Sequence, residues 1–177
     1  MTKGQQNVNP LGGTTYSTGS ANKNFFEYIY NSYTDSNSGS DNKMTYKCVA
    51  FFTRSKVTTV HDHLSSNYKG VRNIKLTTCL RFCNFLHISL EKVLTGTTTR
   101  RIFNGRNTRF QFYNVDRNMQ DVQKELRNIK CTKEVCRQIG IPKSTLRRLQ
   151  NKPESITLCN FLRLCNYQKK SIDQILT

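Results

Sequence analysis

The chain has 177 residues, and its 28 lysines and arginines against 11 aspartates and glutamates give a formal net charge of +17. An excess of this size favours a polyanionic partner, with nucleic acid first and an anionic membrane surface second. The sequence contains no run of about 18 apolar residues, which argues against a membrane-spanning helix.

The beginning of the chain predicts a disordered tail followed by a helix. Residues 1–23 consist mainly of glycine, serine, threonine, asparagine and glutamine. So polar a segment cannot bury enough surface to offset its loss of conformational entropy, and we predict that it is disordered. The aromatic block Phe25–Tyr33 predicts the first helix of a compact module. The polar stretch Thr34–Asn42 contains a glycine and predicts a loop.

The segment after this loop predicts three further helices and a cap. Apolar residues recur at helical intervals over Met44–Phe52, Lys56–Leu64 and Leu76–Leu86. Ser89, with an acidic residue in the turn that follows, predicts the N-cap of one more short helix. The first helical module is therefore expected to extend over residues 24–94.

Residues 95–118 differ from the rest of the chain because β-branched and aromatic residues surround the pair Asn104-Gly105. Asn-Gly favours a tight turn, so we predict a basic β-hairpin or an extended connector. Its basic side chains include Arg100, Arg101, Arg106 and Arg109. Two interpretations remain open. These arginines contact nucleic acid, or they are solvated while the neighbouring aromatic rings pack on a module.

Residues 119–177 have the clearest helical pattern. The predicted helices are Met119–Ile129, Thr132–Gln138, Lys143–Gln150, Ile156–Leu164 and Ser171–Leu176. Thr132 is expected to cap the second of them, and Gly140 is expected to end it. A tight turn between two helices requires a positive φ angle, which costs glycine least.

The chain also repeats one pattern. Residues 74–94 and 156–176 align without a gap and are identical at eight of 21 positions. Upstream, residues 47–60 align with residues 133–146 at a separation of 86 instead of 82. The difference places four extra residues in a loop of the first copy, as fits a surface loop. We therefore predict two tandem copies of one helical module.

Residues 132–152 resemble the helix-turn-helix of the Cro/repressor-type family, also called XRE-like. The matching features are a short amphipathic helix, Gly140, Ile141, the run Ser144-Thr145-Leu146, Leu149 and Asn151. The resemblance covers residues 119–177 and, through the repeat, a diverged copy in about 25–94. It implies a mainly α fold of two tandem five-helix helix-turn-helix modules joined by the basic connector. Pro142 departs from the family, in which a polar cap is usual at this position.

The resemblance implies that the helix around residues 143–150 lies in the major groove of double-stranded DNA. Leu146 and Leu149 would hold this helix to the core, and its basic side chains would then face outward to bases and phosphates. The candidate DNA-binding residues of this module are Lys133, Arg137, Lys143, Ser144, Thr145, Arg147, Arg148 and Lys152.

The first copy offers a poorer set of DNA-binding candidates. These are Lys56, Thr58, Thr59 and His61. Asp62 lies among them and would repel phosphate. Whether this copy contacts DNA therefore stays open.

Cysteine and histidine spacing suggests a metal site, but packing explains it better. Cys79, Cys83 and His87 lie at successive turns of one helix, as zinc ligands would. Cys83 and Cys165 occupy the same place in the two copies, however, and Lys169 replaces His87 in the second. A small buried thiol accounts for both copies. We expect no metal and no cofactor.

We predict a DNA-binding protein of the nucleoid, a transcriptional regulator and not an enzyme. The sequence shows no phosphate loop and no nucleophile with a base and an orienting group. No signal-peptide pattern is present, so we expect a cytoplasmic protein with free thiols. Whether it forms a homodimer stays open. The alternative is a structural or assembly protein of a phage or mobile element, located in the virion, with helical modules that contact protein and bind nucleic acid generically.

Overall fold

The computed structural model describes residues 15–37, 45–64, 73–96 and 113–176. Within these ranges the chain forms ten α-helices and one short 3-10 helix, and it contains no β-strand. The mainly α fold is therefore as predicted. The predicted hairpin lies almost entirely in residues 97–112, outside the described ranges.

The ten helices fall into two groups of five, on either side of that segment. The N-terminal half, residues 15–96, contains α1 Ala21–Asn37, α2 Tyr46–Thr53, α3 Val57–Leu64, α4 Leu76–Leu86 and α5 Leu90–Thr95. The C-terminal half, residues 113–176, contains α6 Val115–Arg127, α7 Lys133–Ile139, α8 Lys143–Asn151, α9 Leu158–Gln168 and α10 Ile172–Ile175. A 3-10 helix, Pro153–Ser155, lies between α8 and α9.

The prediction of a disordered tail is wrong for residues 15–23, because α1 begins at Ala21 and Tyr16 is buried. The backbone N–H of Tyr16 donates to Oδ1 of Asn166 at 2.8 Å, and the amide of Asn166 donates to the carbonyl of Tyr16 at 2.9 Å. One aromatic side chain with a long-range partner thus orders a segment whose composition favours disorder. Residues 1–14 lie outside the described ranges.

Several predicted boundaries also differ from the structure, among them those of the loop after α1 and of the connector. The predicted loop Thr34–Asn42 is helical as far as Asn37, and within this helix the Thr34 hydroxyl donates to the carbonyls of Tyr30 and Asn31. The predicted connector ends earlier than residue 118, since α6 begins at Val115 with Asn114 as its cap. The Asn114 side chain accepts from the N–H of Arg117, a backbone donor without a partner inside the helix, and this cap accounts for the start of α6.

The predicted caps are confirmed. The Ser89 hydroxyl accepts from the N–H of Lys92, and the Thr132 hydroxyl accepts from the N–H of Val135. Acceptors at these positions satisfy backbone donors that have no partner inside the helix.

Both halves contribute to one hydrophobic core, in which the cysteines behave as small apolar residues. Cys79, Cys83 and Cys165 are buried, as the packing interpretation predicts. Burial raises the pKa of the Cys83 and Cys165 thiols, which therefore stay neutral.

A short antiparallel bridge joins the two halves at the start of the repeated segments. The N–H of Leu76 donates to the carbonyl of Ile156 at 3.0 Å, and the N–H of Leu158 donates to the carbonyl of Ile74 at 2.9 Å. Each bond is the counterpart of the other under the 82-residue separation of the repeat. The two repeated segments thus contact each other through the same atoms.

Candidate nucleic-acid interface

The turn between α7 and α8 has the geometry that the sequence predicts. Gly140 has φ 74° and ψ 23°, and its N–H closes the end of α7 on the carbonyls of Cys136 and Arg137. Ile141 is buried immediately after it, and Pro142 is extended with ψ 144°. Pro142 is the N-cap of α8, which begins at Lys143, and it makes no side-chain hydrogen bond there.

Helix α8 has one buried and one exposed face. Leu146 and Leu149 are 0% exposed, and α8 packs against α6 and α7 through this side. The side chains that point to solvent are Lys143, Ser144, Arg147 and Arg148, with Thr145 half-buried at the edge. The exposed face is therefore cationic, and the helix is fixed to the core behind it.

A glutamine that the sequence analysis missed fixes the far end of α8. The side-chain amide of Gln150 donates to the carbonyls of Leu126 at 2.9 Å and Ile129 at 3.0 Å. In return, the amide of Gln123 donates to the carbonyl of Gln150 at 3.3 Å. These bonds join the end of α8 to the end of α6 and to the residues that follow it. Periodicity gives no signal for such a role.

An arginine in the repeat supports the turn from behind. The guanidinium of Arg163 donates to the carbonyl of Gly140 at 2.9 Å. In the N-terminal half, Arg81 donates to the carbonyl of Arg54 at 3.4 Å. Arg81 and Arg163 are identical residues at one position of the repeat. This identity was the signal in the sequence that could have indicated a shared role.

The remaining candidate DNA-binding residues of the C-terminal half lie around α8, and they differ in whether another side chain already binds them. Lys133, at the start of α7, and Lys152, directly after α8, are exposed. Arg137 is bound by Glu134 through two hydrogen bonds of 3.1 and 2.9 Å. The Arg137 guanidinium, with help from Gln138, lowers the pKa of Glu134. A contact of Arg137 with a phosphate would therefore compete with this exposed, weak ion pair.

In the N-terminal half, α3 follows the burial pattern of α8 position by position. Val60 is buried like Leu146, and His63 is buried like Leu149. The candidates Lys56, Thr58 and His61 are exposed and Thr59 is half-buried. The chemistry of the exposed face nevertheless differs between the halves.

Apolar side chains are exposed on α2 and α3 at positions where the C-terminal half has polar or charged residues. Phe51 is 79% exposed and Phe52 is 43% exposed, and they align with Arg137 and Gln138. Val57 occupies the position of Lys143 and is 44% exposed.

The turn before α3 has an arginine where the turn before α8 has a glycine. Arg54 stands at the position of Gly140 and adopts a left-handed conformation with φ 49°. Nδ1 of His61 lies 3.8 Å from a carboxylate oxygen of Asp62, so the acidic charge that the sequence flagged is exposed beside a candidate contact.

The four connector candidates lie outside the described residues. They are Arg100, Arg101, Arg106 and Arg109. Their contribution stays a prediction.

The comparison with protein families gives one match to this region. Residues 123–177 match the family model of the Cro/C1-type helix-turn-helix DNA-binding domain. The comparisons with curated proteins and with solved structures gave no match. The match covers α7 to α10 and confirms the resemblance for the C-terminal half. The diverged copy in the N-terminal half stays a prediction. None of the described helices has the length and apolar character needed to cross a membrane.

Proposed function

We propose that the chain, whose residues 123–177 form a Cro/C1-type helix-turn-helix DNA-binding domain, is a non-enzymatic transcriptional regulator. It binds double-stranded DNA sequence-specifically, with α8 as the recognition helix in the major groove. DNA binding follows from the family, and the choice of α8 and its residues follows from the geometry of that helix.

One observation carries the assignment of α8. Leu146 and Leu149 are completely buried, whereas Arg147 and Arg148 between them are exposed. A helix held rigidly by one face and cationic on the other fits a groove lined by base edges and phosphates. Arginine presents a planar fork that bonds both acceptors of a guanine edge, which makes these two side chains the primary candidates for base readout.

Other basic residues supply affinity without sequence preference. Lys133 and Lys152 are exposed on the flanks of α8 and are suited to phosphate contacts. The net charge of +17 adds a long-range attraction to DNA. Binding should therefore weaken steeply with salt, because each neutralised phosphate releases counterions.

The test is selection of bound duplexes from a random pool at physiological salt, followed by substitution of the two arginines. The intact chain should enrich a consensus sequence. Arg147→Ala and Arg148→Ala should each weaken binding to that sequence by about 1–3 kcal/mol and relax the preference at one or two base pairs. The affinities are measured by mobility shift on the selected and on scrambled duplexes.

A matched control separates readout from charge. Lys124→Ala with Arg127→Ala removes two positive charges from the exposed face of α6. This double variant should lose affinity equally for selected and scrambled duplexes, and only slightly. Unchanged preference in both arginine variants of α8 would refute the assignment of the recognition helix. Enrichment of no consensus would instead favour generic nucleic-acid packaging.

A further inference from the structure

Tyr113 crosses from the C-terminal half to the N-terminal half. It precedes α6, yet its backbone N–H donates to Oδ1 of Asn84 at 2.8 Å, and the amide of Asn84 donates to its carbonyl at 2.8 Å. Its buried hydroxyl accepts from the N–H of Leu90 at 2.7 Å, at the start of α5. The segment that begins one half thus binds to the last two helices of the other.

Tyr16, in the N-terminal half, makes the equivalent contacts with the C-terminal half. It precedes α1, and its backbone exchanges two hydrogen bonds with the side chain of Asn166. Its hydroxyl accepts from the N–H of Ile172 at 3.0 Å, at the start of α10. Asn166 and Ile172 are the residues that correspond to Asn84 and Leu90 at the 82-residue separation of the repeat.

The acidic residues near these tyrosines show the same reciprocal arrangement. The hydroxyl of Tyr16 donates to Glu91 at 3.0 Å, and Asp173 lies near the hydroxyl of Tyr113. Glu91 and Asp173 correspond in the repeat, and they lie close enough that Glu91 helps burial to raise the pKa of Asp173. The bridge between Leu76 and Leu158 adds a further contact of equivalent atoms.

Reciprocal contacts of this kind define an isologous interface, in which residue i contacts residue j and the counterpart of i contacts the counterpart of j. The packing of the helices shows the same reciprocity. α1 packs on α9 as α6 packs on α4, and α4 and α5 pack on their own counterparts α9 and α10. The two halves are therefore related by an approximate twofold axis within one chain.

We propose that this chain is a single-chain pseudo-dimer, which as a monomer binds one bipartite DNA site with α8 on one half-site and α3 on the other. The inference rests on the proposed function. A twofold axis gives α3 the same relation to the interface as α8. A DNA duplex has local twofold axes as well, and dimeric helix-turn-helix proteins use this match to place two recognition helices on half-sites about one helical turn, or a multiple of it, apart.

The two half-sites must differ, because the exposed faces of α3 and α8 differ. The α8 half-site is read by Arg147 and Arg148 and should contain guanines. On α3, Val57 and Thr58 present methyl groups to solvent, and such groups recognise the thymine methyl. The favoured target is thus an asymmetric sequence, with one guanine-containing and one thymine-rich half.

Two measurements on the full chain test this. The mass of the complex with the selected duplex, by sedimentation, should equal one chain per duplex. The selected consensus should contain two unlike elements at a fixed spacing. Val57→Ser with Thr58→Ala should then weaken affinity by about tenfold and erase preference only in the second element, whereas Arg148→Ala should affect only the first.

The possible outcomes separate the two proposals. A consensus with one element only, a palindrome bound by two chains, or α3 variants that leave every base preference intact would each overturn the pseudo-dimer while the role of α8 stands. Loss of all sequence preference in the intact chain would overturn both. Lys47→Ala, an exposed change on α2 at the position of Lys133, is the control for loss of a phosphate contact: it should weaken binding to all duplexes equally and leave the base preference of both elements unchanged.

Discussion

Replacing Tyr113 by alanine is expected to lower the free energy of unfolding by about 3–5 kcal/mol. The ring is buried where the two halves meet, and its hydroxyl accepts the N–H of Leu90. Alanine leaves a cavity between the halves and leaves that N–H without its partner. The loss should appear in urea unfolding as a lower midpoint.

A graded series resolves the parts of this effect. Tyr113→Phe keeps the ring and removes only the hydroxyl, so it should cost about 1–3 kcal/mol, which corresponds to a buried donor left unsatisfied. Tyr16→Phe should have a similar cost, because its hydroxyl bonds to Ile172 in the same way. Tyr167→Ala is the control for loss of a tyrosine, since Tyr167 is partly exposed.

The shape of the transition matters as much as its midpoint. If the halves depend on each other, Tyr113→Ala should unfold the whole chain in one transition, followed both by circular dichroism and by tyrosine fluorescence. Two separate transitions in the unsubstituted chain would show that the halves fold independently. A Tyr113→Ala variant as stable as the unsubstituted chain would contradict the role of the reciprocal contact.

Local patterns were sufficient to predict the helices that carry the candidate site. The apolar spacing of Leu76–Leu86 gave α4 with both ends correct, because its face is buried against one continuous core. The caps Thr132 and Ser89 and the glycine turn were equally readable, since each depends on only a few neighbouring residues. The position of α8 in the C-terminal half followed from these same local signals.

The contacts between the halves were not predictable from the sequence. Tyr16 stands in a glycine- and serine-rich segment, and its partner Asn166 lies 150 residues away. The amino-acid composition of a segment indicates how much surface the segment can bury by itself. It gives no information about a binding site for that segment elsewhere in the chain. Asn84 and Asn166 were visible as identical residues of the repeat, but nothing local indicated that they bind the backbone of the opposite half.

The candidate interface was predictable in outline and not in its supports. Outward positions on α8 follow from the helical period once Leu146 and Leu149 are assigned to the core. The hydrogen bonds from Gln150 and Arg163 depend on how α6 and α9 lie relative to α8 and to its turn. Such relations appear only when the helices are packed in three dimensions.

His63 and Leu149 are buried at equivalent positions of the two halves. Replacing His63 by leucine and replacing Leu149 by histidine should change the free energy of unfolding in opposite directions. His63 is buried against Phe26 and Phe82, at the place that Leu149 takes in α8. Its Nδ1 has no hydrogen-bond partner among the described residues. His63→Leu should therefore raise the free energy of unfolding by about 1–3 kcal/mol, because an unsatisfied polar group is removed. Leu149→His should lower it by about 2–5 kcal/mol.

The pH dependence distinguishes this explanation from a simple change of packing. Burial lowers the pKa of His63, although Asp62 opposes the shift. The unfolded chain takes up a proton near the ordinary value of about 6.5, whereas the folded chain does not, so stability is lost as the pH falls below that value. His63→Leu should abolish this loss, and Leu149→His should enlarge it.

Asp173 provides an internal control for this titration. Its pKa is raised by burial and by Glu91, so its contribution has the opposite sign, and stability is gained as the pH falls towards the raised pKa. This contribution is the same with and without His63→Leu, and it cancels in the difference between the two proteins. Unfolding free energies measured from pH 7.5 downwards therefore isolate His63. Parallel curves for the two proteins would show that His63 is protonated or solvated in the folded chain, contrary to its burial between two aromatic rings.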